Sequence, residues 1–393
     1  MHGVNRWLLP DGVDEVLPPR ARALEALRRR LLDVCERWGY DLVIPPIVEY
    51  LDSLLSGIGE DLDLQTFKLI DQVTGRLMGV RADITPQVAR IDAHRMPTDH
   101  PQRLCYIGPV VHTLPDKFAG SRNPLQIGAE LYGHAGIEAD AEVIALLLEL
   151  LAAAEVPDVT IELGHMGLFH AVCGEAALDA ERESRVLECL LMKDASGLAA
   201  ELDAAGVRGA VAEHLHALIE LNGDIDVLAR ARERLAGAAP AVMTALDEVA
   251  RLAEALAAYA PRAALHLDFA ELRGYRYHTG IMFAAYTPEA GRAVAWGGRY
   301  DNIGSSFGRA RSATGFSTDL KTLAALSQAQ RVELGRILAP AGAAENLLAA
   351  IREYRTLGYT VVQALPGQRA SAADMGCQQV LVERNGAWQV DDA

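Results

Sequence analysis

The sequence predicts an α+β fold, a mainly antiparallel sheet flanked by helices and interrupted by a helical insertion. Three observations carry this. Apolar runs come in pairs around polar turns, as hairpins do, at 66–70 with 77–81 and at 104–111 with 125–132. From about residue 168 to 259 the pattern changes to Ala, Leu, Glu and Arg at helical spacing. Strand signals then return beyond it, so hairpins and helices are segregated rather than alternating as in a doubly wound sheet.

In chain order, Pro10-Asp11-Gly12 is a turn, and Leu17-Pro18-Pro19 leads into a helix. Its apolar residues Leu24, Leu27, Leu31, Val34 and Trp38 are helically spaced, and Gly39 ends it. Residues 41–44 read as a strand stopped by Pro45-Pro46. The first hairpin turns at 71–75, and the second encloses a polar loop, 113–123. A helix over 139–154 and a strand over 159–163 follow. The helical insertion breaks at Gly174, Gly197, Gly206 and Gly223. Strands are expected at 264–269, 280–285, 293–296 and 314–317, with a Gly-rich stretch at 297–308. The tail is expected to hold a helix (344–357) and strands at 360–364 and 379–383. Two domains result: a core over 1–325 and a small α/β segment over 326–393.

Composition narrows the function. A chain of 393 residues can bury a substantial core. No run approaches the roughly 20 apolar residues of a membrane span; Glu142 and Glu149 interrupt the most apolar stretch, 141–154. The N-terminus has no apolar segment of a signal peptide, so the cytoplasm is the expected location. Five widely spaced cysteines (Cys35, Cys105, Cys173, Cys189, Cys377) form no C-x-x-C pair, and the histidines lack ligand spacing. No metal and no cofactor are expected. A net charge of −16, with lysine only at 68, 117, 193 and 321, argues against a nucleic-acid partner.

An amino-acid pocket needs a carboxylate for the α-ammonium and neutral hydrogen-bonding groups to read the side chain. Asp83, Thr85, Gln126 and Glu130 offer such groups on segments expected to be neighbours. Arg273 could hold a carboxylate, while Tyr277 and His278 could face an imidazole. Taken singly, each has a structural alternative. Asp83 before Thr85-Pro86 could cap a helix, Glu130 could pair with an arginine, Arg273-Gly274 could be a turn, and Tyr277 could be core.

Four segments in order settle on a resemblance: Val80-Arg81-Ala82-Asp83-Ile84-Thr85-Pro86, residues 102–133, Leu272-Arg273-Gly274-Tyr275-Arg276-Tyr277-His278-Thr279-Gly280, and Gly297-Gly298-Arg299-Tyr300-Asp301. Together they resemble histidyl-tRNA synthetase, a class II aminoacyl-tRNA synthetase, over about residues 9–320. The resemblance includes the class II dimer motif around Pro46 and implies self-association as a dimer. It places Asp83, Thr85, Gln126, Glu130, Arg273 and Tyr277 on histidine-binding positions, with His278 in place of the family's second tyrosine.

The departures from that family are equally specific. Adenylation needs cations where charge builds on the ATP phosphates. The synthetase's Arg-x-Glu after Gly108-Pro109-Val110-Val111 is here His112-Thr113-Leu114, and its second ATP-binding arginine is Thr322, beside a Lys321 expected to point elsewhere. Neither replacement supplies a guanidinium fork. The segment after about Ser327 is shorter and less basic than an anticodon-binding domain. A synthetase-like chain with the pocket but without the clamp resembles the regulatory subunits of ATP phosphoribosyltransferase. That resemblance implies no catalysis of its own, a short-form catalytic partner in a hetero-octamer, and L-histidine as feedback effector in the first step of histidine biosynthesis. The alternative is a divergent histidyl-tRNA synthetase.

Overall fold

The structure, a computed structural model, describes residues 7–56, 60–114, 121–271, 278–301, 303–328 and 335–393, leaving out the side chains of 60 and 61. The chain divides into two compact units, 1–328 and 329–393.

The first unit opens with α1 (Arg20–Arg37), whose buried Leu27, Leu31, Val34 and Cys35 form one helical face. Gly39, at φ +77°, ends it in the left-handed conformation that favours glycine. Then come β1 (Asp41–Val43), β2 (Val48–Tyr50), α2 (Leu51–Leu54), α3 (Glu60–Gln65), β3 (Phe67–Ile70), β4 (Leu77–Val80), α4 (Thr85–His94), β5 (Gln102–Pro109), β6 (Leu125–Tyr132), α5 (Ile137–Ala153) and β7 (Thr160–His165). The helical insertion holds α6 (Met166–Ala176), α7 (Ala180–Leu191), α8 (Ala195–Ala205), α9 (Ala210–Glu220), β8 (Asn222–Gly223), α10 (Val227–Arg234) and α11 (Pro240–Tyr259). After it lie β9 (Ala264–Asp268), β10 (Ile281–Tyr286), β11 (Ala293–Arg299), β12 (Ala313–Asp319) and α12 (Leu320–Leu326).

Nine strands form one sheet in the order β1-β5-β6-β12-β11-β10-β7-β9-β8. The α+β arrangement is as the sequence predicts, with three refinements. The β1–β5 and β7–β9 pairings are parallel; the second is possible because the whole insertion serves as the crossover. The first hairpin also gains a third strand, since β2 pairs with β4 immediately after Pro45-Pro46. Gly223, expected only as a helix break, lies in the two-residue β8 that joins the sheet edge through β9.

Register decides what each face presents. Gln126, Gly128 and Glu130 lie opposite Asp319, Ser317 and Gly315. Gly315 and Ser317 lie opposite Gly298 and Trp296, which in turn face Met282 and Ala284, then Gly164 and Glu162. Side chains alternate along a strand, so this set shares one face. The other face carries Ile127, Ala129, Leu131, Phe316, Ala295, Phe283, Leu163 and Ile161, all in the main hydrophobic core with α5, α6 and α11. Helices thus cover the greasy face and leave the glycine- and carboxylate-bearing face for a site.

The second unit has β13 (Arg336–Ala339), α13 (Glu345–Thr356), β14 (Thr360–Gln363), β15 (Gln379–Arg384) and β16 (Ala387–Asp392), with sheet order β14-β13-β15-β16. Its own core is built on Ile337, Leu347, Ile351, Val361 and Leu381. The expected helix and two strands are present; β13 and β16 are additional.

Candidate functional site

Asp83 sits in the turn between β4 and α4. Its Oδ1 accepts from the Thr85 backbone N–H at 3.1 Å and from Gln126 Nε2 at 2.7 Å. The Gln126 Oε1 accepts from the Ile84 N–H at 3.0 Å, so the amide clamps the turn from both ends. The capping alternative for Asp83 is partly realised, because Thr85 is the first residue of α4; the same carboxylate also lines a cavity.

Glu130 lies on β6 and is 1% exposed. Among the described residues three hydroxyls and no arginine bond it: Thr85 Oγ1 at 2.9 Å and Tyr106 Oη at 3.2 Å donate to Oε1, and Tyr300 Oη donates to Oε2. Burial pushes its carboxyl up to about 8; the hydroxyl donors oppose that shift, and the nearby Asp83 carboxylate reinforces it. The floor beneath is made of close contacts. A Cβ on Gly128 would strike the Tyr106 hydroxyl, and one on Gly315 would overlap the Glu130 carboxylate.

Asp83, Thr85, Glu130 and His278 line a cavity open to solvent with Trp296, Tyr300, Gly315 and Ser317. His278 is buried, its ring edge-on to Tyr300 with centroids 6.5 Å apart. Of the residues singled out in the sequence, Gln126 braces Asp83 from outside the lining, and Arg273 and Tyr277 lie outside the described residues. Tyr106, Tyr300, Trp296 and Ser317 were not anticipated. Strand alternation offered a signal for two of them, since Tyr106 is opposite Gly128 and Ser317 is two residues from Gly315.

The positions of the missing arginines are occupied differently. His112 Nε2 lies 2.9 Å from the Ala82 carbonyl oxygen, and Leu114 is largely exposed. Thr322 Oγ1 lies 2.9 Å from Asp319 Oδ2, and Asp319 also accepts from the Lys321, Thr322 and Leu125 N–H groups. Lys321 Nζ turns to Asp14 at 2.9 Å, away from the cavity lining. The guanidinium that reaches Thr322 comes from just before β11: Arg292 Nη2 donates to Thr322 Oγ1 at 3.2 Å, just as Arg122 Nε donates to the His112 carbonyl at 3.0 Å. Further along the open face, Glu162, His266 and Asp268 place ligand atoms within 4.8 Å of one another. Lys193 Nζ, 2.6 Å from Asp268 Oδ2, already supplies the positive charge there.

Comparison with known proteins bears on this geometry. The family model described as histidyl-tRNA synthetase matches residues 12–323, and that of the ATP phosphoribosyltransferase subunit HisZ C-terminal domain matches residues 334–391. An ATP phosphoribosyltransferase regulatory subunit from Thioalkalivibrio sulfidiphilus is 53% identical over 390 residues, covering 99% of both chains. The chain belongs to the family of ATP phosphoribosyltransferase regulatory subunits. Another such regulatory subunit, from Pseudomonas paraeruginosa, is 51% identical over 99% of each chain. A solved structure from Bacillus halodurans, described as an ATP phosphoribosyltransferase regulatory subunit/histidyl-tRNA synthetase, superposes with a TM-score of 0.83. It is 27% identical and covers 96% of this chain and 97% of its own. The regulatory-subunit family thus combines the synthetase-like sheet and its open face with a second unit that matches a domain of its own. Among the described residues no helix is long and apolar enough to cross a membrane.

Proposed function

We propose that this chain is a non-catalytic subunit that activates a short-form ATP phosphoribosyltransferase and makes it sensitive to feedback inhibition by L-histidine, in the first step of histidine biosynthesis. The observation that carries the reading is the pairing of a formed pocket with a dismantled clamp. Asp83, Thr85 and Glu130 converge on one cavity, while His112, Leu114 and Thr322 supply no guanidinium of their own, and Arg292, which reaches Thr322, is outside the cavity lining. In this reading Asp83 receives the α-ammonium, Glu130 and His278 face the imidazole, and Gln126, Arg273 and Tyr277 complete the set. The chain self-associates as a dimer and joins its partner in a hetero-octamer. Histidine shifts the assembly by binding one conformation more tightly than another, and the coupling is reciprocal: assembly alters histidine affinity by the same factor.

The test is reconstitution. Added to a purified short-form transferase, the chain should raise turnover and confer histidine inhibition. No change in either would remove the proposal, and histidine-dependent exchange of pyrophosphate into ATP by the chain alone would replace it with a synthetase.

A further inference from the structure

The turn that carries Asp83 is held from two sides. On one, Arg81 is 3% exposed, and its guanidinium donates to the Pro109 carbonyl at 2.9 Å and the Pro45 carbonyl at 2.8 Å. Its backbone carbonyl accepts from the Val111 N–H at 3.1 Å. On the other, the His112 imidazole reaches the Ala82 carbonyl. A carbonyl can only accept, so Nε2 carries the proton and donates. The backbone of His112 is itself fixed: its N–H donates to the Arg122 carbonyl at 2.8 Å, and its carbonyl accepts from Arg122 Nε at 3.0 Å. Ala82 is buried between these anchors, and the next residue is Asp83.

We propose that His112 is a positioning residue for the ligand's ammonium group. It fixes the Ala82 carbonyl, and through it the Asp83 carboxylate, in the orientation that a bound amino acid needs. The inference rests on the reading of the cavity as a histidine pocket. One substitution then has two effects: it withdraws a guanidinium from the nucleotide end of the face and adds a brace at the amino-acid end. A side chain held before the ligand arrives saves the ordering cost of binding. The effect is therefore confined to ligands that use Asp83.

Three probes separate this from a general packing role: histidine, histamine, which keeps the ammonium but lacks the carboxylate, and imidazolepropionate, which lacks the ammonium. Calorimetric titration of H112A should show histidine and histamine weakened about tenfold, the scale of one hydrogen bond, with imidazolepropionate unchanged. H112Q keeps an N–H donor at similar reach and should recover most of the loss. Equal weakening of all three ligands, or no weakening, overturns the proposal. Without ligand, hydrogen exchange at the Thr85 amide, which Asp83 holds, should accelerate in H112A and return toward normal in H112Q. Unchanged protection there also overturns it. An unmodified chain that binds none of the probes would remove the histidine reading, while the exchange measurement still decides the brace.

Discussion

Gly315 on β12 lies directly across the ladder from Glu130 on β6, and the Glu130 carboxylate occupies the space a Cβ on Gly315 would take. The glycine is thus a requirement of the pocket floor. Gly315→Ala should force Glu130 away from the Thr85, Tyr106 and Tyr300 hydroxyls, because the added methyl would also lie 2.7 Å from the Ala129 carbonyl oxygen and has no room to shift that way. Overpacking of this kind costs about 1–3 kcal/mol. Urea unfolding should show that loss, and calorimetry should show histidine binding abolished in a chain that still folds.

Glu130 also sets a pH dependence. Its folded-state value of about 8 lies above the ordinary 4.5, so between those limits the unfolded chain ionises while the folded chain keeps its proton. Stability therefore falls as pH rises through this window, by up to about 1.4 kcal/mol per unit, and levels off above it. Below pH 4.5 both states are protonated and the contribution is flat. Glu130→Gln should remove the slope. Unfolding midpoints of the two proteins at pH 5, 6.5 and 8 should diverge in favour of the variant as pH rises. Parallel curves would show that Glu130 is ionised in the folded chain.

Asp83 permits a cleaner test of binding. Asparagine keeps an oxygen to accept from the Thr85 amide and from Gln126 Nε2, so Asp83→Asn should leave stability within about 0.5 kcal/mol. It removes the charge that an ammonium would pair with, worth about 1.5–3 kcal/mol for a charge-assisted bond. Histidine affinity should fall roughly 10- to 100-fold, and a transferase reconstituted with this variant should lose histidine inhibition at the usual ligand concentration.

These expectations show what could be read from residue order and what could not. The strands of the open face were legible because apolar runs alternate around polar turns. Asp83, Thr85 and Glu130 were legible because their segments follow a family pattern. Tyr106 and Tyr300 were not, since a tyrosine within an apolar strand or just past one reads as core until its hydroxyl is seen bonded to a buried carboxylate. The parallel pairing of β9 with β7 was equally hidden, because nearly a hundred residues of helix-rich chain separate the two strands and no local signal fixes their register. His112 was legible as a loss but not as a contact: sequence shows that the arginine is gone, and only the geometry shows the Ala82 carbonyl that took its place.

Arg299 carries the last prediction. It follows the paired glycines of β11, and its guanidinium is buried against Asp140 of α5 at 2.6 Å, with the His134 and Gly136 carbonyls at 3.3 and 3.0 Å. Burial pushes the Asp140 carboxyl up, and Arg299 holds it back. This pair ties the helix-covered side of the sheet to the strand that ends beside Tyr300. Arg299→Met leaves Asp140 buried without its partner, and breaking such a pair costs about 3–5 kcal/mol. The variant should unfold at much lower urea and recover at acid pH, where Asp140 takes up a proton. Adding Asp140→Leu should restore much of the stability at neutral pH, since the cost lies in the orphaned charge rather than in the lost attraction. A double variant as unstable as the single one would assign the role of Arg299 to the two carbonyls and to Asp301 Oδ1, 3.4 Å from its Nη1, instead.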